Sequence, residues 1–204
     1  MKAGRSFSVA ILAAGNSSRM NYPKLFLPFD GEKKFIQKII DTYIAVGVNA
    51  IILIINADIE KKMRLILSKN YQSHKIKLVV NPFPERGRFY SIQQGLRNIN
   101  SSFCFIQNID NPFISKSLLN EMIKVVTNAN YVVPSCRKKD GHPILISNEI
   151  VKHLLLLKGF DHNLRNELNY FSKIKVPWPQ EEILANINTP EEYQKCFSLS
   201  ESVI

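Results

Sequence analysis

Residues 12–28 read LAAGNSSRMNYPKLFLP. The apolar run Phe7 to Leu12 stops abruptly at Ala13-Ala14-Gly15-Asn16-Ser17-Ser18. Two cations follow, Arg19 and Lys24, with Pro23 fixing the turn before the lysine. Small residues let a backbone approach a ligand closely, and exposed N–H groups in such a loop suit anionic oxygens. Arg19 carries the planar fork that matches phosphate, and Lys24 supplies a point charge. The stretch predicts a strand running into a polyphosphate-binding loop. The plainer alternative is a Gly/Ser turn with two solvated cations. Neither a Walker A loop nor the dinucleotide G-x-G-x-x-G pattern is present, because the required glycines are missing.

On either side of this loop, strand-like and helix-like segments alternate. Val9–Leu12 reads as a buried strand. Phe35–Val46 carries apolar residues at helical spacing, and Gly47 follows where a helix cap belongs. Ala50–Ile55 is nearly all apolar, as in a central parallel strand. Asp58 is placed to cap a helix reaching Leu67. Leu78–Val80 reads as a strand, Ser91–Ile99 as a helix, Phe103–Ile106 as a strand, and Ser115 as the cap of a helix through Val126. Tyr131–Pro134 is the fifth strand. This order predicts a parallel sheet covered by helices on both faces. After a polar turn at Arg137–Gly141 the pattern changes. Ile144–Ile146 reads as an antiparallel return, Glu149–Leu157 and His162–Tyr170 as helices, and Lys173–Val176 as a strand. Thr189-Pro190-Glu191-Glu192 starts the last helix, with Thr189 as cap and Glu192 completing a capping box.

A chain of 204 residues fits one domain, and 45% apolar residues supply a real core. No stretch is long enough to span a bilayer. Lys2 and Arg5 precede an apolar run as in a signal peptide, but that run is short and leads straight into the Gly15 loop. The three cysteines, Cys104, Cys136 and Cys196, lack metal-ligand spacing and read as reduced thiols of a cytoplasmic protein. The net charge of +10 fits either a nucleic-acid surface or a site for small polyanions. Its cations are scattered in short groups such as Lys33-Lys34, Lys61-Lys62 and Arg137-Lys138-Lys139, which argues against nucleic acid and against a membrane surface.

Four further stretches carry chemistry. Asn81 to Ser91 (NPFPERGRFYS) lies between the third strand and a helix. Strand C-termini in open α/β sheets are where ligands bind, and Ser91 there either caps the helix or offers its hydroxyl to a ligand. In Phe105-Ile106-Gln107-Asn108-Ile109-Asp110-Asn111-Pro112 a strand delivers one carboxylate to its end. Asp110 is a candidate Mg²⁺ ligand, since magnesium needs only one or two protein carboxylates beside phosphate oxygens; a turn-forming Asp is the alternative. Gly141-His142-Pro143 is a turn in which a lone histidine is commonly structural. Asn186-Ile187-Asn188 precedes the last helix, and its amide carbonyls are the remaining candidates for a metal.

These segments, in this order, resemble the nucleotidyltransferases of the molybdenum-cofactor cytidylyltransferase and guanylyltransferase group. The first loop matches L-A-A-G-x-x-x-R-M followed by P-K. Asn81-Pro82, Gly87, Ser91 and Gly95-Leu96 match N-P…G-x-x-x-S-x-x-x-G-L, with Arg88 where methionine or a small residue is common. Asp110-Asn111-Pro112 matches D-Q-P, with Ile109 in place of glycine. Gly141-His142-Pro143 matches G-H-P, and Asn186 to Glu192 resembles the N-x-N-T-P-E-E form.

The resemblance implies a Rossmann-like three-layer α/β sandwich, a mostly parallel sheet with one antiparallel strand and helices on both faces, spanning residues 1–204 as one domain. Its nucleotide part covers about 1–112 and its acceptor part about 113–204. It implies catalytic roles for Arg19, Lys24 and Asp110. Nucleotide contacts fall to Leu12, Ala13, Ala14, Gly15, Ser17, Ser18, Asn81, Gly87 and Ser91. Mg²⁺ or Mn²⁺ would sit on Asp110 with Asn188 as a second ligand, and acceptor contacts on Gly141, His142 and Pro143. The reaction it implies moves a nucleoside monophosphate from an NTP to a phosphorylated acceptor such as molybdopterin, releasing pyrophosphate, with transient contact to a protein that receives the product. Ala14 of the L-A-A-G form favours CTP over GTP; Asn186-Ile187-Asn188 favours GTP. The alternatives are a sugar phosphate or an alcohol phosphate (methylerythritol phosphate, phosphocholine) as acceptor, or a nucleotide-binding regulatory protein without turnover.

Overall fold

The computed structural model describes residues 4–15, 17–159 and 161–197. The fully buried strand β1 (Phe7–Ala13) lies in the middle of the sheet. Its neighbours are β2 (Ala50–Ile55) and, on the other side, β4 (Phe103–Asn108), both parallel to it. β3 (Ile76–Val80) adds to the outside of β2 in the same direction. Past β4 the order continues with β7 (Ile144–Ser147), antiparallel to both neighbours, and then β5 (Tyr131–Cys136). β6 (Lys139–Asp140) folds back on the end of β5, and β8 (Lys173–Pro177) pairs with β5 in parallel.

The alternation of side chains along β1 builds two cores. Val9, Ile11 and Ala13 face a cluster with Phe35, Ile36, Ile39, Ile40 and Tyr43 of α1 (Phe35–Val46), Met63 of α2 (Glu60–Asn70) and Leu118, Leu119 and Met122 of α4 (Lys116–Val125). Ala10 and Leu12 face Phe89, Ile92 and Leu96 of α3 (Gly87–Leu96), Ile150, Val151 and Leu154 of α5 (Asn148–Leu156) and Leu164 and Leu168 of α6 (Leu164–Leu168). Two opposite faces, each closed by helices, give the three-layer sandwich. Each fully buried aliphatic or aromatic side chain stabilises it by about 1.5–3 kcal/mol. At Gly95 a Cβ would come within 2.7 Å of Ile54 Cδ1 and 3.3 Å of Ala10 Cβ. That close approach seats α3 against the sheet and brings its first turn to the strand ends.

Several boundaries differ from the sequence reading. Ser91 does not cap a helix. α3 starts at Gly87, whose φ of +83° is left-handed and free only for glycine, so the chain turns into the helix four residues early. Asp58 sits inside a 3₁₀ turn (Ala57–Ile59) leading into α2 and makes no cap. The helix expected over His162–Tyr170 is only α6, because the Asn163 side chain accepts from Arg165 N at 2.8 Å and starts it there. Ser115 caps α4 as expected, through Leu118 N at 3.1 Å. Thr189 and Glu192 form the capping box of α7 (Pro190–Phe197): Glu192 N donates to Thr189 Oγ1 at 3.3 Å, and Thr189 N to Glu192 Oε2 at 3.1 Å.

Candidate active site

The sheet order reverses between β1 and β4, and the crevice beyond their C-terminal ends is where ligands of such sheets bind. A cleft of about 570 Å³ opens there. The loop after β1 supplies one wall through Leu12, Ala14, Gly15 and Ser17. Gly15 has open space where a Cβ would stand, so the backbone lies bare to the cleft. Ser17 adopts φ 49°, and its hydroxyl accepts from Lys24 N at 3.4 Å. Asn16 lies outside the described residues. Leu25 and Phe26, buried in a 3₁₀ turn, anchor the chain behind Lys24. Lys24 points into the cleft and donates from Nζ to Asn188 Oδ1 at 2.7 Å. Burial pushes its pKa down, while Asp110 pulls it up.

The turn after β4 supplies the opposing carboxylate. Gln107 is fully buried; its Oε1 accepts from Tyr43 OH at 3.0 Å, and its Nε2 donates to the carbonyls of Asn108 and Asn111 at 2.7 and 2.8 Å. The turn is thereby tied to the core of α1. Asn111 donates to the carbonyls of Ile183 and Ala185 at 3.0 and 2.7 Å, and Ile187 N to Asp110 O at 2.9 Å. These bonds draw residues 183–188 across the cleft and bring Asn186 and Asn188 to its wall. Asp110 Oδ1 is buried with no hydrogen-bond partner, and burial pushes its carboxyl pKa up against the pull of Lys24 and Arg88. An oxygen left in that state fits a divalent cation. Among the described residues no group of three or more His, Cys, Asp or Glu could hold a metal, so such an ion would draw its other ligands from phosphate and water. Asn188 was the second candidate ligand, but its carbonyl oxygen is engaged by Lys24; the amide steadies the lysine.

The third wall is the first turn of α3, with Gly87, Arg88 and Ser91. Asn81 is buried behind it and donates to Ser91 Oγ at 2.9 Å, while its own Oδ1 accepts from Phe83 N. His142 completes the cleft, from a turn with a cis His142–Pro143 bond. A Cβ at Gly141 would come within 2.7 Å of Ile183 O, and His142 N donates to the same carbonyl at 3.0 Å. Burial pushes the His142 imidazole down to about 4, with the Arg88 charge adding to it. The ring is neutral at pH 7 and has no pKa suited to a general base.

A second cleft of about 680 Å³ adjoins the first, walled by β5, the β6 turn, α6 and β8. Lys138, Lys139, Arg165, Lys173 and Lys175 surround it, with Asp140 as the acidic residue among them. Arg88 and His142 line both clefts.

Residues 9–170 match the MobA-like NTP transferase domain. The chain belongs to that family. A probable molybdenum cofactor guanylyltransferase of Clostridium perfringens strain 13 is 26% identical over 209 residues, covering 95% of this chain and 98% of the relative. The molybdenum cofactor cytidylyltransferase of Escherichia coli K12 is also 26% identical, over 90% of this chain and 91% of its own. Among solved structures, Rv0371c of Mycobacterium tuberculosis in complex with manganese superposes with a TM-score of 0.76 at 17% identity, covering 95% of this chain and 98% of that one. The three-layer fold is thus shared with that solved structure.

Within this MobA-like domain the predicted site residues separate into two groups. Leu12, Ala14, Gly15, Ser17, Lys24, Gly87, Ser91, Asp110, His142 and Asn188 meet in the first cleft. Ala13 is buried in the opposite core, and Ser18 and Arg19 stand exposed on the 3₁₀ turn Ser18–Met20, outside the cleft wall. Arg19 nevertheless acts on Lys24 through its charge. Gly141 lines the second cleft, and Pro143 is buried behind the turn. The residues that sequence reasoning missed are Asn108 and Glu192. Asn108 Oδ1 accepts from Arg88 NH2 at 3.0 Å, and its Nδ2 lies 3.3 Å from His142 Nε2. Its position at the end of β4 was the available signal. Glu192 acts on both Lys24 and Asp110 by charge, and its oxygen accepts from Asn188 N at 2.6 Å.

Proposed function

We propose that this nucleotidyltransferase moves a nucleoside monophosphate from CTP or GTP onto the phosphate of an acceptor, and that the acceptor is molybdopterin. The observation that carries the reading is the meeting of Lys24 and the Asp110 carboxylate, whose Oδ1 has no partner, in one cleft that opens onto a second, basic one. The nucleotide lies against the loop after β1, over the bare backbone of Gly15, with its triphosphate toward Lys24 and Arg19. Asp110 would hold Mg²⁺ or Mn²⁺, which supplies charge neutralisation on the phosphates. An oxygen of the acceptor phosphate forms a bond to the α-phosphorus, the bond from that phosphorus to the bridging oxygen breaks, and pyrophosphate leaves. The nucleophile is already ionised at neutral pH, so positioning and charge stabilisation suffice and no base is required. The low pKa of His142 agrees with that.

Residues up to about 112 serve the nucleotide and the later ones the acceptor, with Asn186, Asn188 and Glu192 reaching back to the nucleotide side. Ala14 favours the smaller pyrimidine. The relatives named for guanylyl transfer favour GTP. Competition binding among CTP, GTP, ATP and UTP decides the base. Pyrophosphate release, measured for each NTP with and without molybdopterin or other phosphorylated acceptors, tests the reaction. Release that no acceptor stimulates would refute it.

A further inference from the structure

Arg88 stands at the boundary between the two clefts. Among the described residues six lysines and arginines form ion pairs: Lys33 with Asp41, Arg64 with Glu60, Lys124 with Glu121, Arg137 with Glu181, and Lys173 and Lys175 with Asp140. Arg88 forms no ion pair among the described residues. Among the described residues its side chain makes one hydrogen bond, to the neutral amide of Asn108, although a guanidinium has five N–H donors in a fixed fork. The side chain is exposed, but into a concavity: the surrounding walls crowd it enough that burial pushes its pKa down. Asp110 faces it by charge without touching it.

We infer that Arg88 is the specificity-determining residue that receives the phosphate of the acceptor at the junction of the two clefts. This rests on the nucleotidyl-transfer reading of the site. A reaction between ligands held in adjacent clefts must take place where the clefts meet, and among the described residues only Arg88 and His142 line both. The attacking group is an anion approaching a triphosphate, so a cation must stand between them, and the neutral His142 cannot serve. The nucleotide already has its own cation in Lys24, which lies across the cleft, with Arg19 on the exposed turn outside the cleft wall. A planar fork with most of its donors free matches a phosphate monoester in two-point contact, which a lysine could not reproduce. Arg88 therefore selects acceptors that carry a phosphate over the corresponding alcohols.

The test uses the full chain saturated with a non-transferable α,β-methylene analogue of CTP or GTP and Mg²⁺. Inorganic phosphate and methyl phosphate are then titrated in, by calorimetry. Arg88→Met keeps the length of the side chain, and Arg88→Lys keeps the charge. The expected result is that Arg88→Met weakens phosphate binding at least about tenfold more than it weakens the analogue, with Arg88→Lys between it and the parent. The thermal midpoint of Arg88→Met is expected to stay level or rise, since no ion pair is lost. Equal losses of analogue and phosphate would assign Arg88 to the nucleotide and overturn the inference. A large fall in thermal midpoint would make it a structural cation and do the same. Unchanged phosphate binding in Arg88→Met would overturn the inference while leaving nucleotidyl transfer standing. Failure of the parent protein to bind any nucleotide analogue would overturn both.

Discussion

The two clefts share Arg88 and His142 and are otherwise made of different materials. The first is built from strand-end backbone, one carboxylate with an oxygen left unpartnered, and one lysine held by an amide across 164 positions of sequence. Its parts are fastened to the core through Tyr43, Gln107 and Asn111. The second is built from exposed lysine and arginine side chains around Asp140. The first can therefore hold reacting atoms in fixed positions, which phosphoryl chemistry requires. The second attracts anions by charge, an attraction that weakens with salt.

Asp110→Asn is the strongest way to break this contrast. Turnover should fall at least about a hundredfold, as when a transition-state charge stabiliser is lost. Folding should survive, because Asp110 Oδ1 has no hydrogen bond to lose and burial already disfavours its charge. Steady-state pyrophosphate release with thermal denaturation of the same sample reads both. Activity kept, or folding lost, would put Asp110 outside the metal site.

Lys24→Ala should weaken NTP binding at least about tenfold, the loss of one charge-assisted hydrogen bond of about 1.5–3 kcal/mol. Arg19→Ala should cost less, since Arg19 stands outside the cleft wall. Calorimetric titration ranks them, and the reverse order would mean that the exposed turn closes over the nucleotide.

His142 makes a pH prediction. Its pKa falls from 6.5 to about 4 on folding, so the folded state takes up its proton less readily than the unfolded chain. The stability this group contributes is present above about pH 6.5 and is lost as the pH falls toward 4. Asp110, with its raised pKa, contributes in the opposite sense over the acid range. Urea unfolding across this window should show a shallower loss of stability in His142→Gln than in the parent. Parallel curves would mean that the ring is not desolvated in solution.

The smallest effects belong to the second cleft. Lys173→Ala and Lys175→Ala each break a largely exposed pair with Asp140 and should change stability by no more than about 1 kcal/mol. Their effect should appear in the acceptor KM, and that effect should fade as salt is raised. A salt-independent KM would mean that the acceptor is held by geometry there too.

The alternation of strands and helices was legible because each element carries its own period: the unbroken apolar run of β2 and the helical spacing of α1 needed no partner to be read. The loop after β1 and the carboxylate after β4 were legible because parallel strands of one sheet deliver their ends to the same edge. The start of α3 was misplaced because Ser91 is a common cap and the left-handed φ of Gly87 leaves no mark beyond the glycine itself. The bond from Lys24 to Asn188 was not legible, because the two residues are remote in sequence.

The sequence by itself thus determined the layers, the order of the elements and the edge of the sheet at which a phosphate ligand would lie, all of which follow from local propensity and side-chain period. Only the tertiary structure decided that Asn111 draws the 183–188 segment over the cleft, that Lys24 is held by an amide, and that Arg88 stands between two cavities with a neutral amide as partner. Those arrangements depend on which polar atoms find partners once distant segments are packed together, and a buried or crowded polar atom left without one is visible only when the whole chain is in place.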